Sequence, residues 1–200
     1  MLTLYDREAS GNCYKVRLLL SCLDVPYQRV PVAMVNGINQ LDVDYVKLNQ
    51  RGQIPTLKDG ELVLWGSTAI LCYLAARHDP ARRWLPEAPA RLAEVMQWLE
   101  LAQNEILDGL FRARAIVKFG IAGDLDASRD TGRRALAVLE SRLGCHSWLA
   151  DGEPTVADIA CFPYVAVAGE GGVDVSPYPG VRRWIAAIKA LPGFVGMPGI

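Results

Sequence analysis

The 200-residue chain lacks most of the signatures that betray a chemistry at first sight. Its only two histidines, His78 and His146, stand far apart, and no His-Glu-x-x-His pair exists. A metalloprotease-type centre is thereby excluded, and no metal is expected. No Gly-x-x-x-x-Gly-Lys loop is present to cradle a nucleotide's phosphates. The five cysteines, Cys13, Cys22, Cys72, Cys145 and Cys161, include no Cys-x-x-Cys pair. An odd, unpatterned count fits neither a disulfide framework nor a zinc site; it fits a reducing cytosol. Charge of neither sign is in excess: Lys and Arg total 21 against 22 for Asp and Glu, a net charge of −1. That balance excludes a broad nucleic-acid footprint. No uncharged apolar run approaches the roughly 18 residues of a membrane span. The start, Met1-Leu2-Thr3-Leu4-Tyr5-Asp6, reads as a strand and not as a signal peptide. Repeats and low-complexity tracts are missing as well.

What is there is an ordinary globular composition, 51% hydrophobic and 22% charged, long enough to bury a sizeable core. The pattern changes about a third of the way along. Leu2–Tyr5 is a short strand. Cys13, Val16, Leu19, Leu20 and Leu23 recur at helical spacing, Pro26 stops that helix, and Tyr27–Val32 reads as a second strand. Residues 39–48 form a weaker helix with Leu41, Tyr45 and Leu48 on one side. Thr56–Lys58 and Leu62–Leu64 are strands joined by the hairpin turn Asp59-Gly60. Ser67 caps a helix running to about Arg77, with Ile70, Leu71 and Leu74 inward. The order is βαβαββα. Residues 78–89, with Pro80, Pro86, Pro89 and a lone Trp84, form a linker.

All that follows is helical in pattern. Leu92, Val95, Met96, Leu99, Ala102 and Ile106 make a long apolar stripe. A second helix covers roughly 126–143, with Leu136, Leu139 and Leu143. Thr155 and Asp158 read as a capping box with Asp in place of Glu, opening a helix that contains Pro163. Val181, Trp184, Ile185 and Ile188 make the last helix.

Three breaks carry the motifs: Ser10-Gly11-Asn12-Cys13, Gln53-Ile54-Pro55 and Gly66-Ser67. With Ala69-Ile70-Leu71-Cys72-Tyr73-Leu74, Thr155-Val156-Ala157-Asp158, Pro177-Tyr178-Pro179 and Trp184, they resemble the glutathione transferase family over essentially the whole chain. The resemblance implies an α/β thioredoxin-like N-terminal domain (1–77), a linker (78–89) and an all-α C-terminal domain (90–200). It also implies a homodimer in the cytosol, with glutathione as co-substrate. The expected reaction is conjugation of the glutathione thiolate to an electrophilic small molecule. Glutathione-dependent disulfide reduction, or a binding role on the same fold, are the alternatives.

The resemblance assigns roles to particular residues. A free thiol near pKa ~8.5 is a few per cent ionised at neutral pH. Lowering it by about two units takes ~2.7 kcal/mol. A hydroxyl donating to the sulfur supplies ~1.5–3 kcal/mol and a helix N-terminus ~0.3–1. Ser10 has the chemistry and the position for both; its bland role is a helix cap. Asn12 reads as the cap by position, and its amide can also donate to sulfur. Cys13 begins the apolar stripe and reads as a buried structural thiol. Ile54, before a proline that is cis in this family, would offer its N–H and C=O to the peptide as an added strand would. Gln53 would reach the glycyl carboxylate, and Ser67 at a helix N-cap the γ-glutamyl carboxylate. The family usually places Glu, Asp or Gln where this chain has Gly66, to hold the γ-glutamyl ammonium. Glu94 or Glu100 of a second copy are candidates for that task. Phe111, Phe119 and Tyr164 are expected as apolar walls for the acceptor. Arg112, Arg114 and Lys118 form a basic run that could attract an anionic acceptor, although such a run more often makes a solvated helix face.

Overall fold

A computed structural model describes residues 1–33, 43–150 and 152–200. The expected helix over 39–48 falls partly outside them, as does Leu41. The described part is a helix at Val43–Leu48.

The first third is a four-stranded sheet with helices against it. Its elements are β1 (Leu2–Asp6), α1 (Gly11–Cys22), β2 (Tyr27–Pro31), α2 (Val43–Leu48), β3 (Thr56–Asp59), β4 (Leu62–Trp65) and α3 (Ser67–His78). The strands lie in the order β2-β1-β3-β4. β1 runs parallel to β2, Leu2 opposite Tyr27, and antiparallel to β3, Leu4 opposite Leu57. β3 and β4 close as the hairpin expected from Asp59-Gly60. Alternation puts Leu2, Leu4 and Asp6 of β1 inside. Asp6 is a buried carboxylate held by two cations, Arg17 of α1 and Arg29 of β2. Through them it ties the first helix to the sheet. The alternating pattern gave no warning of this buried charge.

α1 is buried almost all round, because it packs between α3 and a helix of the second half. That second half holds α4 (Pro89–Gln103), a π-helical segment (Ile106–Phe111), α5 (Arg112–Phe119), α6 (Leu125–Leu143), α7 (Val156–Ala166), a 3-10 turn (Ala168–Gly171) and α8 (Pro179–Lys189). The stripe is buried at Val95, Leu99 and Ala102 of α4 and at Ile106 of the π-helical segment. Met96, expected within it, is instead 46% exposed. It sits about 100° round the helix from Val95, away from the buried face. The single long helix is interrupted at Asn104, where the backbone leaves helical geometry before the π-helical segment begins.

α7 is the apolar axle of the molecule; it contacts α1, α3, α4 and α8. Its start carries the capping box read from Thr155 and Asp158. Asp158 is fully buried, and its carboxylate serves the box and two further contacts. It accepts from the Thr155 N–H at 2.9 Å, the Leu149 N–H at 3.1 Å and the Trp184 indole N–H of α8 at 2.8 Å. Pro163 lies inside the helix, which continues to Ala166. The segment between α3 and α4 is tied down: the Trp84 N–H donates to Asp79 at 2.8 Å, and the Trp84 carbonyl accepts from Val156 at the head of α7.

Candidate active site

The site begins at the turn after β1. Ser10, not Asn12, is the N-cap of α1: its Oγ accepts from the Cys13 N–H at 3.3 Å. Asn12 comes two residues later and lies inside the first turn, so the assignment of the cap to it is corrected. The two roles weighed for Ser10 do not compete. Capping uses a lone pair of the hydroxyl oxygen and leaves the hydroxyl proton to give. Asn12 bridges three elements: its N–H donates to the Tyr164 hydroxyl of α7 at 3.1 Å, and its Oδ1 accepts from the Ser67 hydroxyl of α3 at 3.4 Å. Tyr164 is therefore more than an apolar wall. Gly11 lets it approach, since a Cβ there would lie 2.5 Å from the ring.

Cys13 is buried, and burial together with the nearby Asp6 carboxylate pushes its thiol up to about 12. It is a structural thiol, as its place on the apolar stripe implied. Cys161 on α7 is likewise pushed upward by burial.

The Gln53-Ile54-Pro55 turn is pinned from beneath. The Tyr45 hydroxyl of α2 and the Asn49 amide both donate to the Gln53 carbonyl at 2.7 Å, and both also bond Thr56 Oγ1. The Ile54–Pro55 peptide is cis. Asn49 and Thr56 went unnoticed in the sequence because a buried polar cluster leaves no periodic trace.

Ser67 is the first residue of α3, not its cap. The cap is Gly66, at φ +87°, and it offers no side chain. The N–H groups of the first turn of α3 are thus left without a side-chain cap.

A cavity of about 180 Å³ gathers these parts. Ser10, Asn12, Gln53 and Ile54 line it from the sheet half; Phe111, Phe119 and Tyr164 line it from the helical half. Ser67 adjoins it through its bond to Asn12; Pro55 and Gly66 are not among its lining. Arg112 is absent from the cavity and belongs to a separate depression with Asp108 and Asp124. The reason is helical rotation: Phe111 and Arg114 share a face at a spacing of three, and Arg112 is turned away. Arg114 is the correction in the other direction. Of the two readings given for the basic run, the solvated face does not hold for Arg114, which is 1% exposed and lines the cavity. Arg7, Ala9, Leu107 and Ile121 complete the lining; sequence reasoning missed them, for no motif marks them.

A larger cavity of about 780 Å³ lies between the sheet edge and residues 195–198. Its two arginines, Arg17 and Arg29, are already spent on Asp6. The smaller cavity, with its polar groups on one side and aromatic rings on the other, is the better candidate. Among the described residues no cluster of His, Cys, Asp and Glu could hold a metal, and no helix is long and apolar enough to cross a membrane.

Comparison with known proteins bears on the same geometry. Residues 4–82 match the family model for the glutathione S-transferase N-terminal domain, and residues 122–187 that for the C-terminal domain. The chain is 34% identical to glutathione S-transferase GstB of Escherichia coli, over 96% of this chain and 95% of that one. A crystal structure of a glutathione S-transferase from Pseudomonas fluorescens superposes with a TM-score of 0.91 at 32% identity, covering 98% of each chain. A possible glutathione S-transferase from Rhodopseudomonas palustris gives 0.90 at 32% identity, covering 98% of this chain and 97% of that one. Its thioredoxin-like sheet half, its helical half and these relatives together show that the chain belongs to the glutathione S-transferase family.

Proposed function

We propose that the protein is a glutathione transferase that joins the glutathione sulfur to an electrophilic small molecule. The observation that carries this reading is the cavity shared by Ser10 and Asn12 on one side and Phe111, Phe119 and Tyr164 on the other. In the proposed reaction the glutathione thiol loses its proton to solvent. Its thiolate, held by the Ser10 hydroxyl, attacks the electrophilic carbon. A carbon–sulfur bond forms as the bond to the leaving group breaks, and the leaving group departs with that electron pair. Ser10 contributes by making the thiolate cheaper; the walls contribute by holding the acceptor against it.

Glutathione would lie along the Gln53-Ile54-Pro55 turn, with Ile54 pairing its backbone and Gln53 its glycyl carboxylate. Its γ-glutamyl carboxylate would meet Ser67 and the uncapped first turn of α3. Gly66 supplies no carboxylate for the ammonium. The division into 1–77, 78–89 and 90–200, a homodimeric state and a place in the cytosol belong to the same reading. A detoxifying role would follow from such a reaction.

Two measurements test it. Calorimetric titration with glutathione should give a saturable heat, and steady-state assay with chlorodinitrobenzene should give conjugate. No heat at millimolar glutathione would turn the reading towards a non-catalytic binding protein. Turnover of a small disulfide in preference to the halide would turn it towards a glutathione-dependent reductase using Ser10 and Asn12.

A further inference from the structure

We propose that the acceptor bears a carboxylate and that Arg114 selects for it. This rests on the transferase reading for its chemistry, but its binding step can be measured without turnover. Arg114 leaves α5 for the inside of the molecule. Its Nε pairs with Glu170, and its Nη1 donates to the Ala9 carbonyl at 2.9 Å, next to Ser10. Its Nη2 is buried with no hydrogen-bond partner. A guanidinium is a rigid fork whose donors all need acceptors, and leaving a charged donor buried and unmet is costly. Two sides of the fork are satisfied by the protein, and the third is left to a ligand of the cavity that Arg114 lines.

The electrostatics point the same way. Arg114 and Lys118 both pair with one carboxylate, Glu170. Two positive charges against one negative leave an excess of one, and Arg7 lines the same cavity. Arg7 and Arg114 face the same ring, that of Phe119, at 5.9 and 5.2 Å from its centroid. Phe119 is 40% exposed, so its ring is the covering that can turn aside and admit an anion to Nη2. Around this basic end the walls are apolar: Leu107, Phe111 and Ile121. The occupant that fits is an amphiphile, an aromatic or aliphatic electrophile with an acid group at one end.

The test uses the wild-type protein and a matched pair, nitrobenzoate and nitrobenzamide, titrated calorimetrically with and without S-methylglutathione. The acid is expected to bind about ten- to hundredfold tighter than the amide. Its advantage should shrink as salt is raised and should persist when S-methylglutathione is bound. In Arg114→Lys the acid should lose most of its advantage while the amide keeps its affinity. Should that variant not fold, Arg7→Gln on the exposed flank should narrow the acid's lead by a few fold. Equal binding of acid and amide overturns the proposal. So does displacement of the acid by S-methylglutathione, which would assign Nη2 to the tripeptide. With the chloronitrobenzoate and chloronitrobenzamide electrophiles, the same preference is expected in kcat/KM. Conjugation without acid preference would remove this proposal and leave the transferase; acid binding without any conjugation would do the reverse.

Discussion

Lys15 shows how far a single residue can depart from what its type suggests. It lies in α1, fully buried, with no hydrogen-bond partner for its Nζ among the described residues, the face of Tyr164 at 5.3 Å and the Cys161 thiol near it. Burial pulls its pKa from 10.5 down to about 8. The sign follows from linkage. A lowered folded-state pKa penalises the charged form. The penalty is absent above pH 10.5, grows as the pH falls towards 8, and is complete below that. It amounts to about 3 kcal/mol on the order-of-magnitude scale of such shifts. Lys15→Met should therefore raise the melting temperature at pH 7 by several degrees, at about 2–4 °C per kcal/mol for a chain of this length. Thermal melts across pH 7 to 10.5 should show that gain fading; a gain that does not change with pH would mean Lys15 carries no such burden. At this scale the sequence was legible where one residue does one thing, as with Cys13. Ser10 and Arg114 were harder. A hydroxyl can cap and donate at once, and whether an arginine faces water or a cavity depends on neighbours such as Ala9, 105 positions from Arg114.

Elements were the most legible level, because period and punctuation are local. The hairpin at Asp59-Gly60 and the box at Thr155 and Asp158 were both readable and both formed. The break at Asn104 was not, since an apolar stripe runs across it from Ala102 to Ile106 without a change of spacing. Asp158 offers a sharp test of its element. Asp158→Ala would leave four donors, the N–H groups of Leu149 and Thr155, the Thr155 hydroxyl and the Trp184 indole, without their acceptor. At ~1–3 kcal/mol each, the loss should reach about 3 kcal/mol or more and lower the melting temperature by on the order of 10 °C. A drop of a degree or two would show that the head of α7 is held by other means. Gly66 is the opposite case, an element terminus with room to spare. Among the described residues, its chain neighbours aside, no atom lies within 4 Å of where its Cβ would be, yet its φ of +87° is one that side chains tolerate poorly. Gly66→Asp should tighten glutathione binding about ten- to hundredfold by meeting the ammonium. It should also cost ~1–3 kcal/mol of stability in backbone strain. Calorimetry and a melt read the two effects separately. Unchanged affinity in a folded variant would mean another carboxylate already fills that role.

For the whole molecule, the two-part architecture was legible from the change of pattern near residue 78, and its assembly was not. β4 is an edge strand and exposes Leu62 and Trp65, and α4 exposes Met96. Light scattering should return twice the chain mass of 21.9 kDa; the mass of one chain would remove the homodimer from the proposal. The central claim spans both halves: the helical half fixes the turn that bears Ser10, through Tyr164 to the Asn12 N–H and Arg114 to the Ala9 carbonyl, and in the proposed reaction the Ser10 hydroxyl would donate to the glutathione sulfur. The most direct test is a pH titration of the ultraviolet thiolate band of bound glutathione, in the wild type and in Ser10→Ala. The account predicts an apparent pKa about two units below the ~8.5 of a free thiol in the wild type. It predicts a return most of the way towards that value in the variant, with glutathione still bound. A thiolate band that rises only near the free-thiol pKa in the wild type, or one that Ser10→Ala leaves unmoved, would contradict it.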